Sequence, residues 1–145
     1  MKKKIIYFVG IAVFVICVIA YFKPLSFSDM VDNENQIKMT VQDFSINNGE
    51  ANIESDEYTN LTAEQKDDIL KVLDQFRYRR TFKTLFSDGS MSDLGDKMLS
   101  IYIYENDLTF NTVVASSSGK IAVNNKVYSM KDAEDFIENI IDIVE

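Results

Sequence analysis

The loop between Asp88 and Asp96 carries the side chains best suited to hold a cation. Asp88, Asp93 and Asp96 follow one another at short spacing, and calcium prefers oxygen ligands of this kind. An EF-hand loop also needs a fixed order of ligands, whereas Gly89 follows Asp88 directly and no glutamate closes this loop. A solvated turn is therefore the favoured interpretation, and a weak calcium site is the alternative.

A serine-rich turn before Lys120 is the nearest approach to a catalytic motif. Ser117 and Lys120 have the S-x-x-K spacing of serine acyl enzymes, but they lie between two predicted strands and not at the start of a buried helix. The same turn resembles part of a phosphate loop, yet Val114 stands where the first glycine is required and Ile121 follows the lysine. The pattern indicates an ordinary polar turn.

The residue types that most often carry catalysis are scarce in this sequence. There is no histidine, which removes the usual general base and the commonest zinc ligand. The single cysteine, Cys17, lies in an apolar stretch, so the remainder of the chain has no thiol and no disulfide. We expect a protein without metal or cofactor and without enzymatic activity. A carboxylate-dependent enzyme that uses the Asp88–Asp96 loop, or Glu105 near Tyr104, is the alternative.

Basic and aromatic side chains offer a possible recognition surface. A basic cluster occupies a predicted strand over 77–86 and comprises Arg77, Arg79, Arg80 and Lys83. Tyr102 and Tyr104 alternate with apolar residues on another predicted strand, and tyrosine and arginine are favoured in binding surfaces. Arg77, Arg79, Lys83, Tyr102 and Tyr104 are therefore the predicted partner-binding residues. Cross-strand ion pairs and a two-sided core are the structural alternatives.

The N-terminal stretch predicts a membrane anchor. Three lysines at 2–4 precede an uncharged run from Ile5 to Phe22, which is 18 residues long. As a helix this run would extend roughly 27 Å, against a hydrocarbon core of about 30 Å. The lysines favour a cytoplasmic N-terminus and an extracytoplasmic remainder. A secretory signal cleaved after Ala20, and a lipid attached to Cys17, are the alternatives.

The remainder of the chain is strongly acidic. After Lys23 there are 11 basic and 23 acidic residues, and so a net charge of −12. This balance disfavours nucleic acid as a partner, because phosphate backbones are bound by basic surfaces. The composition divides the chain into an anchor at 1–23, a polar tether at 24–36 and one extracytoplasmic domain at 37–145.

Hydrophobic periodicity predicts an α+β domain. Apolar residues alternate around Met39, around Ile101 and between Leu108 and Val114, as in half-buried strands. Asn47-Asn48-Gly49 and Asn124-Asn125 are typical of tight hairpin turns. The predicted fold is an antiparallel β-meander of about five to seven short strands.

Two amphipathic helices are predicted to cover one face of this sheet. The first begins at a capping box formed by Thr62 and Gln65 and presents one apolar stripe. The second runs to the C-terminus with a stripe from Ala133 to Val144. Stripes of this kind must be buried, and the sheet is the available surface.

The order of these features resembles a known group of proteins. The chain resembles small membrane-anchored proteins of low-GC Gram-positive bacteria, a family of unknown function. The resemblance is carried by the lysine-led span, the tether, the segment Tyr58–Phe76, the Arg77–Phe82 strand, the hairpin Ser116–Tyr128 and the terminal helix. The resemblance implies a cell-envelope location and no particular activity. We expect a membrane-tethered binding module with the bilayer and an unknown envelope protein or polymer as partners. A secreted inhibitor or immunity-type protein is the alternative if the signal is cleaved.

Overall fold

The computed structural model describes residues 2–31, 38–46, 53–91, 97–106 and 108–145, which form an α+β protein. The described residues contain four helices and six strands. In chain order these are α1 (Lys2–Tyr21), β1 (Lys38–Ile46), β2 (Ile53–Tyr58), α2 (Ala63–Gln75), α3 (Phe82–Phe86), β3 (Lys97–Tyr104), β4 (Phe110–Ser116), β5 (Lys120–Val123), β6 (Lys126–Ser129) and α4 (Ala133–Val144).

The six strands form one antiparallel sheet in the order β2-β1-β3-β4-β5-β6. An antiparallel sheet with five to seven strands is confirmed. The order differs from a simple meander because β2 folds back outside β1, so that β1 pairs directly with β3. The turn at Asn124-Asn125 is also confirmed, with Asn124 in the left-handed region at φ 52°. The turn predicted at Asn47-Asn48-Gly49 lies outside the described residues.

The core lies on one face of the sheet, as the alternating pattern of β3 predicts. Leu99, Ile101 and Ile103 are buried there, and α4 contacts β3 and β4 over this face. Helix α2 packs against α4 and adds Ile69 and Leu73 to the same core. Helix α4 therefore covers this face of the sheet directly, and α2 adds to the core through its contact with α4.

The predicted capping box at the start of α2 is also confirmed. The amide of Gln65 donates to the Thr62 hydroxyl at 3.2 Å, and the amide of Thr62 donates to the Gln65 side-chain oxygen at 3.0 Å. The Gln65 side-chain amide donates in turn to the carbonyl of Ile143 at 2.8 Å. One side chain thus caps α2 and ties it to the end of α4.

The stretch predicted as a strand over 77–86 is mostly not a strand. Only Tyr78 and Arg79 form β-bridges, and α3 begins three residues later. Tyr78 is fully buried, and its hydroxyl donates to the carbonyl of Leu73 at 2.9 Å. Burial raises the pKa of the Tyr78 phenol far above its ordinary value, so the side chain is neutral at physiological pH.

Residues 25–31 differ from the tether that the polar composition predicts. Leu25 and Tyr78 exchange both backbone hydrogen bonds, at 2.9 and 3.0 Å. Phe27 is fully buried with its ring 6.4 Å from the Tyr78 ring, while the Ser28 amide donates to Asp74 at 2.9 Å. The composition is misleading here because a few apolar side chains, Phe27 and Val31 in the core and Leu25 and Met30 against it, are enough to dock the segment. The rest of the predicted tether, 32–36, lies outside the described residues.

Helix α1 presents apolar side chains on all its sides. Every described side chain from Ile6 to Ala20 is exposed, including Cys17. In the part of the chain that the structure describes, no helix is both long and apolar enough to cross a membrane. The helix ends at Tyr21, whose ring lies 5.3 Å beneath the guanidinium of Arg80. Only three residues separate this end from Leu25 in the sheet.

Replacement of Phe27 tests whether residues 25–31 are part of the folded core. We expect Phe27→Ala to lower the free energy of unfolding by about 3–5 kcal/mol, because a fully buried ring is lost and a cavity remains. Chemical denaturation of the detergent-solubilised full chain measures this change. Phe86→Ala is the matched control, since Phe86 is 87% exposed and should change the free energy by less than about 0.5 kcal/mol. Equal small effects of the two variants would contradict the docking of this segment.

Candidate functional site

A groove of about 650 Å³ lies between α3 and β6. We call it the α3–β6 groove. Its described lining consists of Thr81, Phe82, Lys83, Phe86, Ser87, Ser90, Met91, Ser118, Gly119, Lys120, Val127, Tyr128 and Ser129. Thus α3 forms one wall, and the β4–β5 turn and β6 form the other.

The wall made by α3 is held to β6 by backbone groups that an edge strand would otherwise leave unpaired. Arg79 and Ser129 exchange backbone hydrogen bonds of 2.9 Å. Further along, the Thr84 hydroxyl donates to the carbonyl of Val127 at 2.6 Å, and the amide of Val127 donates to the Ser87 hydroxyl at 2.9 Å. The segment 79–87 therefore covers the outer edge of β6 and closes that side of the sheet.

The opposite wall includes the serine-rich turn between β4 and β5. Gly119 has a φ of +85°, and its carbonyl accepts the amide of Met130 at 3.0 Å. A Cβ atom at Gly119 would lie 3.2 Å from the Met130 carbonyl oxygen, so a side chain there would be strained and crowded. The Ser117 hydroxyl accepts the amide of Lys97 at 3.2 Å, which gives this serine a structural role in the turn.

The groove combines apolar surface with positive charge. Phe82, Phe86, Met91 and Val127 contribute the apolar part, and Lys83 and Lys120 contribute the charge. None of the described lining residues is acidic, although the chain after Lys23 has a net charge of −12. Such a lining suits a ligand that carries both an apolar group and an anionic group.

The structure does not unite the five predicted partner-binding residues. Lys83 lines the groove, whereas Arg77 and Arg79 line a separate cavity of about 300 Å³ between the end of α2 and the start of α4. Tyr102 and Tyr104 lie on β3, and Arg79 is four strands away across the sheet. Four strand spacings of about 4.8 Å amount to roughly 19 Å. The five residues therefore do not form one continuous surface, and their role in partner binding stays a prediction.

Tyr102 and Tyr104 instead belong to an aromatic cluster on the face of the sheet opposite α4. Their rings lie 6.2 and 5.5 Å from the ring of Phe110 on the neighbouring strand. Both tyrosines are half-buried, so they pack across the strands as much as they face solvent. The sequence allows either a recognition surface or a packing role for these tyrosines, and their half-buried rings are compatible with both.

Two of the three predicted calcium ligands, Asp93 and Asp96, lie outside the described residues. The third, Asp88, accepts the backbone amide of Ser90 at 3.0 Å, and hydrogen bonds from Ser90 lower the pKa of its carboxyl group. Among the described residues, no group of three or more possible metal ligands comes together. The described geometry at Asp88 is that of a turn stabilised by its own side chain.

Sequence reasoning missed the aromatic wall of the groove. The strand predicted over 77–86 included Phe82 and Phe86, but they are 74% and 87% exposed on a short helix. The available signal was Thr81 followed three residues later by Thr84, since the amide of Thr81 donates to the Thr84 hydroxyl at 2.8 Å and stabilises the start of α3. The turn at 118–120 was identified, but only the fold brings it opposite α3.

Comparison of the chain with protein-family models, with curated proteins and with solved structures found no match. The fold and the groove are therefore interpreted on their own geometry. The resemblance to small envelope proteins stays a prediction.

Replacement of Thr84 tests what holds the groove together. We expect Thr84→Val to lower the free energy of unfolding by about 1–3 kcal/mol, because the Thr81 amide and the Val127 carbonyl lose their partner at a buried position. Urea denaturation of the full chain in detergent measures the loss. Thr59→Val is the matched control at an exposed threonine and should have an effect below about 0.5 kcal/mol. Equal stability of the two variants would contradict the anchoring role of Thr84.

Proposed function

We propose that this protein is a membrane-tethered extracytoplasmic module that binds a partner in the cell envelope and performs no chemical catalysis. The partner is an anionic envelope component, a protein or a polymer, that enters the α3–β6 groove. The proposal has two parts, the anchor and the binding surface.

The exposed apolar surface of α1 is the single observation that carries the anchor. Eleven large apolar side chains between Ile6 and Ile19 are 38–77% exposed, and such a surface is unstable in water. The sequence extends the uncharged run to Phe22 and flanks it with lysines at 2–4 and at Lys23. Lysine stems can reach from the ends of a short apolar helix to the headgroups, which favours insertion of Ile5–Phe22. The excess of lysine before the helix favours a cytoplasmic N-terminus.

The short connection to the sheet supports an anchor that keeps its place in the mature protein. Phe22 contacts Phe82 at a ring distance of 5.1 Å, and Leu25 pairs with Tyr78 three residues later. Cleavage after Ala20 would remove α1 and leave Tyr21 and Phe22 as an apolar terminus. The same residues pack against Arg80 and Phe82, and this packing favours a mature chain in which α1 remains joined to the domain.

The chemistry of the groove supports binding over catalysis. The sequence has no histidine, and its cysteine lies in α1, so imidazole and thiol chemistry have no carrier in the domain. Hydroxyl groups in and beside the groove serve the fold: those of Thr84 and Ser87 bond β6, and that of Ser117 bonds Lys97. The apolar wall and the two lysines are suited to hold a ligand in place.

The topology is tested by labelling single cysteines in intact cells. In a Cys17→Ser background, we expect Ser55→Cys on β2 to react with a membrane-impermeant maleimide, because the domain faces outward. Lys2→Cys should react only after permeabilisation. The reverse pattern would contradict the orientation. Recovery of the chain from the medium without its N-terminal segment would contradict the anchor and would indicate a secreted protein.

The binding surface is tested by photo-cross-linking in the native envelope. We expect a photo-reactive residue at Ser90, in the groove, to capture a partner, and one at Asp56, on the exposed β2, to capture none. Lys83→Glu should reduce the Ser90 adduct by about tenfold, as for loss of one charged contact worth about 1.4 kcal/mol, and Lys83→Arg should preserve it. Equal adducts from Ser90 and Asp56, or an adduct unaffected by Lys83→Glu, would contradict the groove as the binding site.

A further inference from the structure

One end of the sheet collects the exposed apolar residues of the domain. Outside α1, the large apolar side chains that are exposed in the described part of the chain are Phe82, Leu85, Phe86, Leu108 and Phe110. The first three belong to α3. Leu108 lies in the turn between β3 and β4, and Phe110 begins β4. Leu108 is 92% exposed, which no folding requirement explains.

The strand register places these residues at the end of the sheet from which α1 departs. Tyr78 and Arg79 run antiparallel to β6, so the chain after Arg79 proceeds towards Lys126 and the Asn124-Asn125 turn. Leu25 is antiparallel to Tyr78, so the chain before Leu25 leads to the same end. We call this end, with α3, the described residues of the β3–β4 turn and the 124–125 turn, the α1 end.

Direct contacts confirm that these segments adjoin one another. Phe22, at the end of α1, makes an edge contact with Phe82 of α3 at 5.1 Å. A Cβ built on Gly89 would lie 3.4 Å from the backbone of Asn124, which places the chain after α3 against the β5–β6 turn. Asn124 in turn bonds the side chain of Asn111 at 3.0 Å, beside Phe110. The end of α1 therefore contacts the apolar surface of α3, and the β3–β4 turn adjoins α3 through the polar groups of Asn124 and Asn111.

Charge at the α1 end also differs from that of the rest of the domain. Lys23, Lys83 and Lys126 are exposed there, and Arg80 lies at the end of α1. Two described carboxylates, Asp88 and Glu105, lie in the same region as these four basic residues, and Asp107 belongs to the same turn in the sequence. A domain of net charge −12 is repelled by an anionic surface, and the basic residues at this end oppose that repulsion locally.

We propose that the α1 end is a second membrane-contact surface, with which the domain lies directly on the anionic lipid headgroups. Leu85 enters the interfacial region with those parts of Phe82 and Phe86 that do not line the α3–β6 groove, and Lys126 and Lys23 pair with lipid phosphates. The inference rests on the membrane anchoring proposed above, because α1 brings this end to the bilayer. Aromatic and aliphatic side chains beside lysines are the composition of interfacial segments. The α3 wall of the groove then lies next to the lipid surface, and the β4–β5 turn lies away from it.

The test uses the full chain in vesicles of phosphatidylcholine and phosphatidylglycerol, with lipids that carry a fluorescence quencher. The sequence contains no tryptophan, so each introduced tryptophan is the sole reporter. Val13→Trp reports on α1, Phe86→Trp on the α1 end, and Lys131→Trp on an exposed site at the opposite end of the sheet. We expect a quencher near the headgroups to reduce Phe86→Trp emission at least about twofold more than Lys131→Trp emission, and a deep quencher to reduce Val13→Trp emission.

The outcomes distinguish failure of the membrane-contact surface from failure of the proposed anchor. Quenching of Val13→Trp together with equal, weak quenching of Phe86→Trp and Lys131→Trp would overturn the contact surface and preserve the anchor. Absence of quenching in Val13→Trp would contradict the anchor itself. Lys126→Glu, or omission of phosphatidylglycerol, should reduce Phe86→Trp quenching, and Lys126→Arg should preserve it. No change on both treatments would contradict the role of anionic headgroups. Phe82→Trp provides a second reporter at an exposed position, where a substitution does not endanger folding.

Discussion

The antiparallel pairing of Leu25 with Tyr78 is the interaction on which the arrangement of this protein depends. It joins the chain that leaves α1 to the outermost bridge of the sheet, and it is reinforced by the burial of Phe27 against the Tyr78 ring. Two backbone hydrogen bonds alone contribute little net stability, but the buried rings around them make separation costly. The domain is therefore held at a short distance from its apolar helix, and one end of the sheet must adjoin that helix.

The need to cover a sheet edge explains both the groove and the exposed aromatic residues. Among the described residues no seventh strand lies beside β6, and the segment 79–87 satisfies its backbone groups through Arg79, Thr84 and Ser87. Protection of an edge by a short helix avoids uncontrolled pairing with other chains. Helix α3 has five residues, and Thr84 is the one that is buried. Phe82 and Phe86 are therefore left exposed on its outer side. The segment 79–87, which covers the edge of β6, thus also places an apolar surface next to α1.

The candidate site was only partly accessible to sequence reasoning. Lys83 was identified as a binding residue, and the turn at Ser118-Gly119-Lys120 was recognised as a distinct feature. The five predicted residues are nevertheless dispersed over the structure, because residues that share a face within one predicted strand need not share it after the chain bends into a helix. Arg79 and Tyr102 are both near strands, but their separation is set by the number of strands between them, and that number depends on the pairing order of the whole sheet.

The sequence by itself determined the class of fold, the acidic charge of the domain and the local elements whose patterns are complete within a few residues. These include the capping box of α2, the apolar stripe of α4, the alternation along β3 and the Asn124-Asn125 turn. Only the tertiary structure decided the placement of β2 outside β1, the docking of residues 25–31 and the meeting of α3 with the β4–β5 turn. Local patterns report the hydrogen bonds and periodicity of neighbouring residues. The remaining features depend on burial between residues that are far apart in the chain, as Phe27 and Tyr78 are, and such contacts have no signature in either segment alone.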